Sequence, residues 1–88
     1  MSQLFLTTMA PAMYENLKKL ASGHFGEYTL SNGLERELYH LRDSGYIDVS
    51  SIKSIPGNGE NLSLHVKITS TGQQFVDLRE SVLGRHLP

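Results

Sequence analysis

Cysteine is absent from the sequence. That excludes a disulfide framework and every thiolate metal site, and it fits a reducing compartment. An excess of positive charge is also missing. Eight Lys and Arg against nine Asp and Glu leave a formal net charge of -1. Affinity for nucleic acid is dominated by counterion release from phosphates, so a dedicated binder carries a basic surplus. Here any DNA contact would have to rest on a local patch. Long apolar runs are lacking as well. The opening "MSQLFLTTMA" has a single short apolar stretch with no Lys or Arg ahead of it. It reads as neither a signal peptide nor a membrane span, and the expected location is cytoplasmic. No internal repeat or low-complexity tract is visible. The 88 residues suffice for one small domain over 1–88, whether whole or cut from a longer protein. A domain of this size needs nearly every apolar residue on a periodic face for its core.

What is present is helical and strand periodicity in alternation. "PAMYENLKKLAS" begins with Pro11, tolerated in a first turn that needs no backbone donor. Met13, Leu17, Leu20 and Ala21 follow at helical spacing. Lys18 and Lys19 suit the negative end of the helix dipole, and Gly23 stops the helix. "LFLTTM" ahead of it reads as a short strand or a docked arm. In "HFGEYTL", Gly26 breaks the pattern, and Tyr28, Thr29 and Leu30 favour an extended backbone. A second helix spans 31–44, with Ser31 or Asn32 as its cap and Asn32–Glu35 at capping-box spacing. Leu34, Leu38 and Leu41 make its buried stripe, and Gly45 ends it. "YIDVSSIKSI" and "LSLHVKIT" then read as two strands. In the second, Leu62, Leu64, Val66 and Ile68 share one face by strict alternation. In the first, Ile52 breaks the parity of Ile47 and Val49, which predicts a bulge near Ser50–Ser51. A last helix starts at Thr69 or Ser70. It carries Phe75, Leu78 and Val82 as its stripe and ends at Gly84 before a frayed "RHLP".

The segment "PGNGEN" between the two strands admits several chemistries. A phosphate loop needs glycines opening a helix, with a lysine and a hydroxyl just after. These glycines lead into a strand, and no Gly-Lys-Ser/Thr follows. A calcium loop needs acids at alternating positions, and Glu60 is the one acid in the tip. A hairpin turn that uses Gly and Asn for positive φ is what remains. Catalysis and metal binding find no constellation either. His24, His40, His65 and His86 fall on four different elements without a His-x-x-x-His pair. No Gly-x-Ser-x-Gly elbow is present, and the acids are scattered. No catalytic residue, metal or cofactor is assigned.

The order of elements carries a resemblance. The segment Leu34 to Glu80 holds a helix ending in Leu38, Leu41, Gly45 and Ile47. A hairpin follows, and its return strand leads into "ITSTGQQF", with Thr69 and Gly72 as a Thr-x-x-Gly helix start. This resembles the winged helix domain of MarR-type transcriptional regulators and their relatives. The resemblance implies an α+β, winged-helix-like domain of about three helices packed on a short antiparallel hairpin or sheet. The wing tip would be Pro56, Gly57, Asn58 and Gly59, on to Asn61. The family has a further helix before its recognition helix. Ser22 to Ser31 is too short for one, so it is reduced to a turn around His24–Glu27 or replaced by the first helix.

Function follows from which face is used. At about 100° per residue, Arg36, Tyr39, His40 and Asp43 lie opposite the leucine stripe of helix 31–44. Arg reads guanine edges, and Tyr or His reaches phosphates. Asp43, Glu35 and Glu37 oppose that use. On the wing over 53–67, Lys53 and Lys67 would brace phosphates, offset by Glu60. A second surface is apolar. Leu4 and Phe5 at one end and Val82 and Leu83 at the other either close the core or form a dimer interface. The expectation is a non-catalytic binding module of a regulatory protein, contacting a protein partner or a second copy of itself. The alternative is a DNA-binding regulator that uses Arg36, Tyr39, His40, Lys53 and Lys67 on a duplex.

Overall fold

The computed structural model describes the backbone of residues 9–84 and side chains as far as Val82. The elements are α1 (Pro11–Ala21), β1 (Tyr28–Thr29), α2 (Asn32–Asp43), β2 (Ile47–Asp48), a 3₁₀ turn (Ile52–Ser54), β3 (Asn58–Gly59), a second 3₁₀ turn (Leu62–Leu64), β4 (Lys67–Ile68) and α3 (Ser70–Gly84). The described part is a small α+β domain. Its three helices surround two separate antiparallel ribbons, β1–β3 and β2–β4. Among the described residues, no helix is long and apolar enough to cross a membrane.

Each helix is bounded by local chemistry. Pro11 opens α1, Lys18 and Lys19 occupy its last turn, and Gly23 follows at φ +79°. The buried stripe of α1 is Tyr14, Leu17 and Leu20, so Tyr14 takes the place expected of the half-buried Met13. Ser31 caps α2, its hydroxyl accepting from the Leu34 amide at 3.1 Å. Leu38 and Leu41 are fully buried as expected. At the end of α2 the Tyr46 amide reaches back to the Leu41 carbonyl, with Gly45 at φ +82°. This six-to-one closure needs a left-handed residue, and glycine adopts it without a Cβ penalty.

One hydroxyl joins α2 to α3. Thr69 Oγ1 accepts from the Gly72 amide at 3.0 Å, capping α3, and donates to the Gly45 carbonyl at 2.6 Å. Gly72 is buried against the segment that leaves α2. A Cβ there would run into the Tyr46 carbonyl and lie 2.8 Å from Ile68 Cγ1. The Thr-x-x-Gly pattern is thus a cap and a close approach combined. Tyr46 stacks on Phe75 with ring centroids 4.8 Å apart, and Tyr14 meets the edge of the same ring.

Three expectations are corrected. "LSLHVKIT" is not one continuous strand. Asn61 Oδ1 accepts from the Ser63 amide and bends the backbone into a 3₁₀ turn, and pairing resumes only at Lys67–Ile68. A side-chain oxygen that offers the backbone a local bond competes with a ladder, and here it wins. Leu62 and Val66 stay buried, whereas Leu64 turns outward to 70% exposure. No bulge forms near Ser50–Ser51; strand β2 simply ends at Asp48, and a 3₁₀ turn buries Ile52. In α3 the buried side chains are Phe75, Val76 and Arg79, and Leu78 is 47% exposed, so the stripe is rotated from the Phe75–Leu78–Val82 line. Arg79 lies on the rotated line. Its guanidinium lies 4.0 Å from the centre of the Tyr14 ring, a cation–π contact between the first and last helices.

Candidate functional site

The outward face of α2 carries exposed Arg36 and His40, and neither side chain has a hydrogen bond or ion pair to the described residues. Tyr39 belongs only partly to that face. It is half-buried against the core, with the Arg42 guanidinium 4.9 Å from its ring centre. Arg42 in turn pairs with Asp43 at 3.2 Å. Glu37 is also engaged, accepting from Asn16 Nδ2 at 2.6 Å and tying α1 to α2. Helix α2 packs on the 3₁₀ turn that carries exposed Lys53. Lys67 is exposed on β4, and its ammonium donates to the Ser63 carbonyl at 3.2 Å. Lys53 therefore sits on a turn packed against the helix of Arg36 and His40. Lys67 belongs to the β2–β4 ribbon, in register with Asp48.

The glycine tip does not project. Asn58 and Gly59 pair with Thr29 and Tyr28 in β1. The Leu30 amide donates to the Gly57 carbonyl at 2.7 Å, and Tyr28 Oη donates to the Pro56 carbonyl at 3.0 Å. Further along, the Gly26 amide donates to Asn61 Oδ1 and the Phe25 amide to Ser63 Oγ. The whole of 56–63 is thereby fastened along 25–30. The tip glycines also serve a different purpose from the one expected. Neither Gly57 nor Gly59 has positive φ; that conformation falls on Gly23, Gly26 and Gly45. Gly59 is needed for space, because a Cβ would come within 2.8 Å of the Tyr28 ring.

Two open depressions flank this loop. One, of about 430 Å³, lies over the β1–β3 ribbon and is bordered by Glu27 and Glu60. The other, of about 250 Å³, is lined by Val49, Ser54, Ile55, Leu64 and His65 among others. Leu64 is the functional candidate that periodicity hides, because alternation assigns it to the core. The signal that could have found it is Asn61, whose side chain is placed to cap a turn ahead of Leu62. Among the described residues, no group of three or more His, Asp or Glu is arranged to hold a metal ion. Val82 is half-buried in α3. Leu4, Phe5 and the side chain of Leu83 lie outside the described residues.

No protein-family model, curated protein or solved structure matches this sequence.

Proposed function

We propose that this domain is a non-catalytic binding module with a winged-helix-like outline that works through protein–protein contact, self-association included. The outline is supported by the order helix, strand, helix, ribbon, helix and by the Thr69–Gly72 joint. The observation that carries the choice of partner is the tethered loop. A wing that grips a duplex must project from its sheet, whereas here 56–63 is bonded along β1. Beside it Leu64 stands 70% exposed on a turn pinned by Asn61 and Ser63. A leucine exposed to water, next to Val49 and Ile55, suits an apolar side chain of another protein.

Sedimentation over a wide concentration range tests the self-associating form of this reading. Leu64→Ser is expected to fold as the parent does and to weaken association. A parent that stays monomeric at high concentration directs Leu64 to a different protein. The competing reading is duplex DNA, favoured by the free charges of Arg36 and Lys53 and by exposed His40. Salt-sensitive amide shifts on those residues with a mixed-sequence duplex, and none at Leu64, would replace the protein-contact reading.

A further inference from the structure

We propose that Asn58 is a modification site, where the side-chain amide converts spontaneously to a carboxylate and the isoaspartate form of the product opens the β1–β3 ribbon permanently. The chemistry is internal. The Gly59 backbone nitrogen, giving up its proton to solvent, attacks Asn58 Cγ. An N–Cγ bond forms, the Cγ–Nδ2 bond breaks, and the amide leaves as ammonia. Water then opens the five-membered imide. Cleaving the new N–Cγ bond yields aspartate. Cleaving the original peptide C–N bond yields isoaspartate, whose backbone runs through Cβ and Cγ. Water is consumed, ammonia is released, and nothing is oxidised or reduced.

The structure separates Asn58 from the other asparagines. Asn16 and Asn61 precede Leu17 and Leu62, whose branched side chains crowd the attacking nitrogen. Their carboxamides are also in use. Asn16 Nδ2 donates to Glu37, and Asn61 Oδ1 accepts from Gly26 and Ser63. Asn32 and Asn58 each precede glycine. Asn32 opens α2, where the helical backbone turns the next nitrogen away from Cγ, and that turn is held by the Ser31 cap. Asn58 is exposed, has no side-chain hydrogen bond among the described residues, and lies in a ribbon of only two residue pairs. This short ribbon and the two bonds flanking it, from the Leu30 amide to Gly57 and from Tyr28 Oη to Pro56, open together as a local unit without global unfolding.

The isoaspartate product cannot return to the starting geometry. An extra backbone carbon in isoaspartate throws Asn58 out of register with Thr29 and Gly59 out of register with Tyr28. The new carboxylate also joins Glu27 and Glu60 around the same depression, where like charges repel. The reaction thus releases the tip and makes it more acidic, which moves it further from any role on phosphate.

The test is incubation of the folded protein at neutral pH, read by peptide mass mapping, isoaspartyl methyltransferase labelling and amide exchange at Leu30. Asn58 is expected to react at least about tenfold faster than Asn32, since a two-pair ribbon opens more readily than a capped helix. In urea the two rates should converge. Modified protein should lose protection at the Leu30 amide, whereas Asn58→Gln should keep both its mass and its protection. Equal rates at Asn32 and Asn58 in the folded protein would overturn the proposal. So would an Asn58 that reacts only in urea, or isoaspartyl protein that retains Leu30 protection.

Discussion

Gly72→Ala should damage this fold although it places a better helix former in a helix. In the first turn of α3 the exchange gains about 0.5 kcal/mol of propensity, the lower end of the usual range. Against that, the new methyl meets the Tyr46 backbone and lies 2.8 Å from Ile68 Cγ1. Forcing a methyl into packed structure costs about 1–3 kcal/mol. The Tyr46 carbonyl cannot step aside freely, because it accepts from the Thr69 amide at 3.0 Å. Displacing it gives up a hydrogen bond, a further loss of about 1 kcal/mol. The net expectation is a loss of about 1.5–3.5 kcal/mol, or a fall in Tm of roughly 6–28 °C for a protein of this length. Urea titration followed by circular dichroism reads the loss directly. The internal control is Gly33→Ala in the first turn of α2, where the nearest atom to the added Cβ is Ser31 Oγ at 3.9 Å. That exchange should stabilise by about 0.5 kcal/mol. A Gly72→Ala protein as stable as the parent would refute the close packing of α3 on the end of α2.

Leu41→Ala, at a fully buried position, should cost about 2–5 kcal/mol by urea unfolding. Arg79→Met should be near neutral in the same assay, because relief of Arg79 Nε, buried without a partner among the described residues, offsets the lost cation–π contact with Tyr14 and the lost bond to the Met9 carbonyl at 3.4 Å. Tyr14→Phe should alter the acid limb of the stability profile. The Tyr14 hydroxyl, donating to Glu80 at 2.7 Å, holds that carboxyl below its ordinary value of 4.5, with Lys18 assisting and partial burial opposing. A carboxyl depressed in the folded state contributes stability that is complete above its unfolded pKa and is lost as pH falls through the folded value. The parent should therefore lose more stability than Tyr14→Phe as pH drops below about 4.5, and parallel acid limbs would remove Tyr14 as the cause.

Much of the helical frame is legible in the sequence, because caps and stops are local. Ser31, Gly23, Gly45 and Thr69 act on atoms within a few residues, so spacing alone locates the helix ends. The loop between β2 and β4 is legible only in part, because the Asn61 cap is local while the partners that fasten the loop come from distant residues. Alternation over Leu62–Ile68 describes a strand only if the backbone finds a ladder, and Asn61 and Phe25 divert it at Ser63. Gly59 shows the same limit. Its neighbours suggest a turn, and only the Tyr28 ring arriving from another element reveals what the missing side chain makes room for. On the candidate site, Arg36 and His40 are exposed, as their helical spacing implies, and Lys53 is exposed on its turn. Tyr39 keeps its place in the helix but is half-buried and packs on the core, since an aromatic ring at the edge of a stripe buries its flank.

The two ribbons are interleaved in sequence: Tyr28 pairs with Gly59, while Ile47 pairs with Ile68. Neither closure is a simple hairpin, and each spans part of the other. Once β2 and β4 meet, the path separating Tyr28 from Gly59 is shortened, so the second closure costs less conformational entropy than it would alone. The reverse order gives the same saving. The ribbons are thus kinetic allies, each lowering the other's barrier. A domain whose helices form from local signals then waits on a pair of long-range meetings, and it should fold more slowly than its helical content alone would suggest.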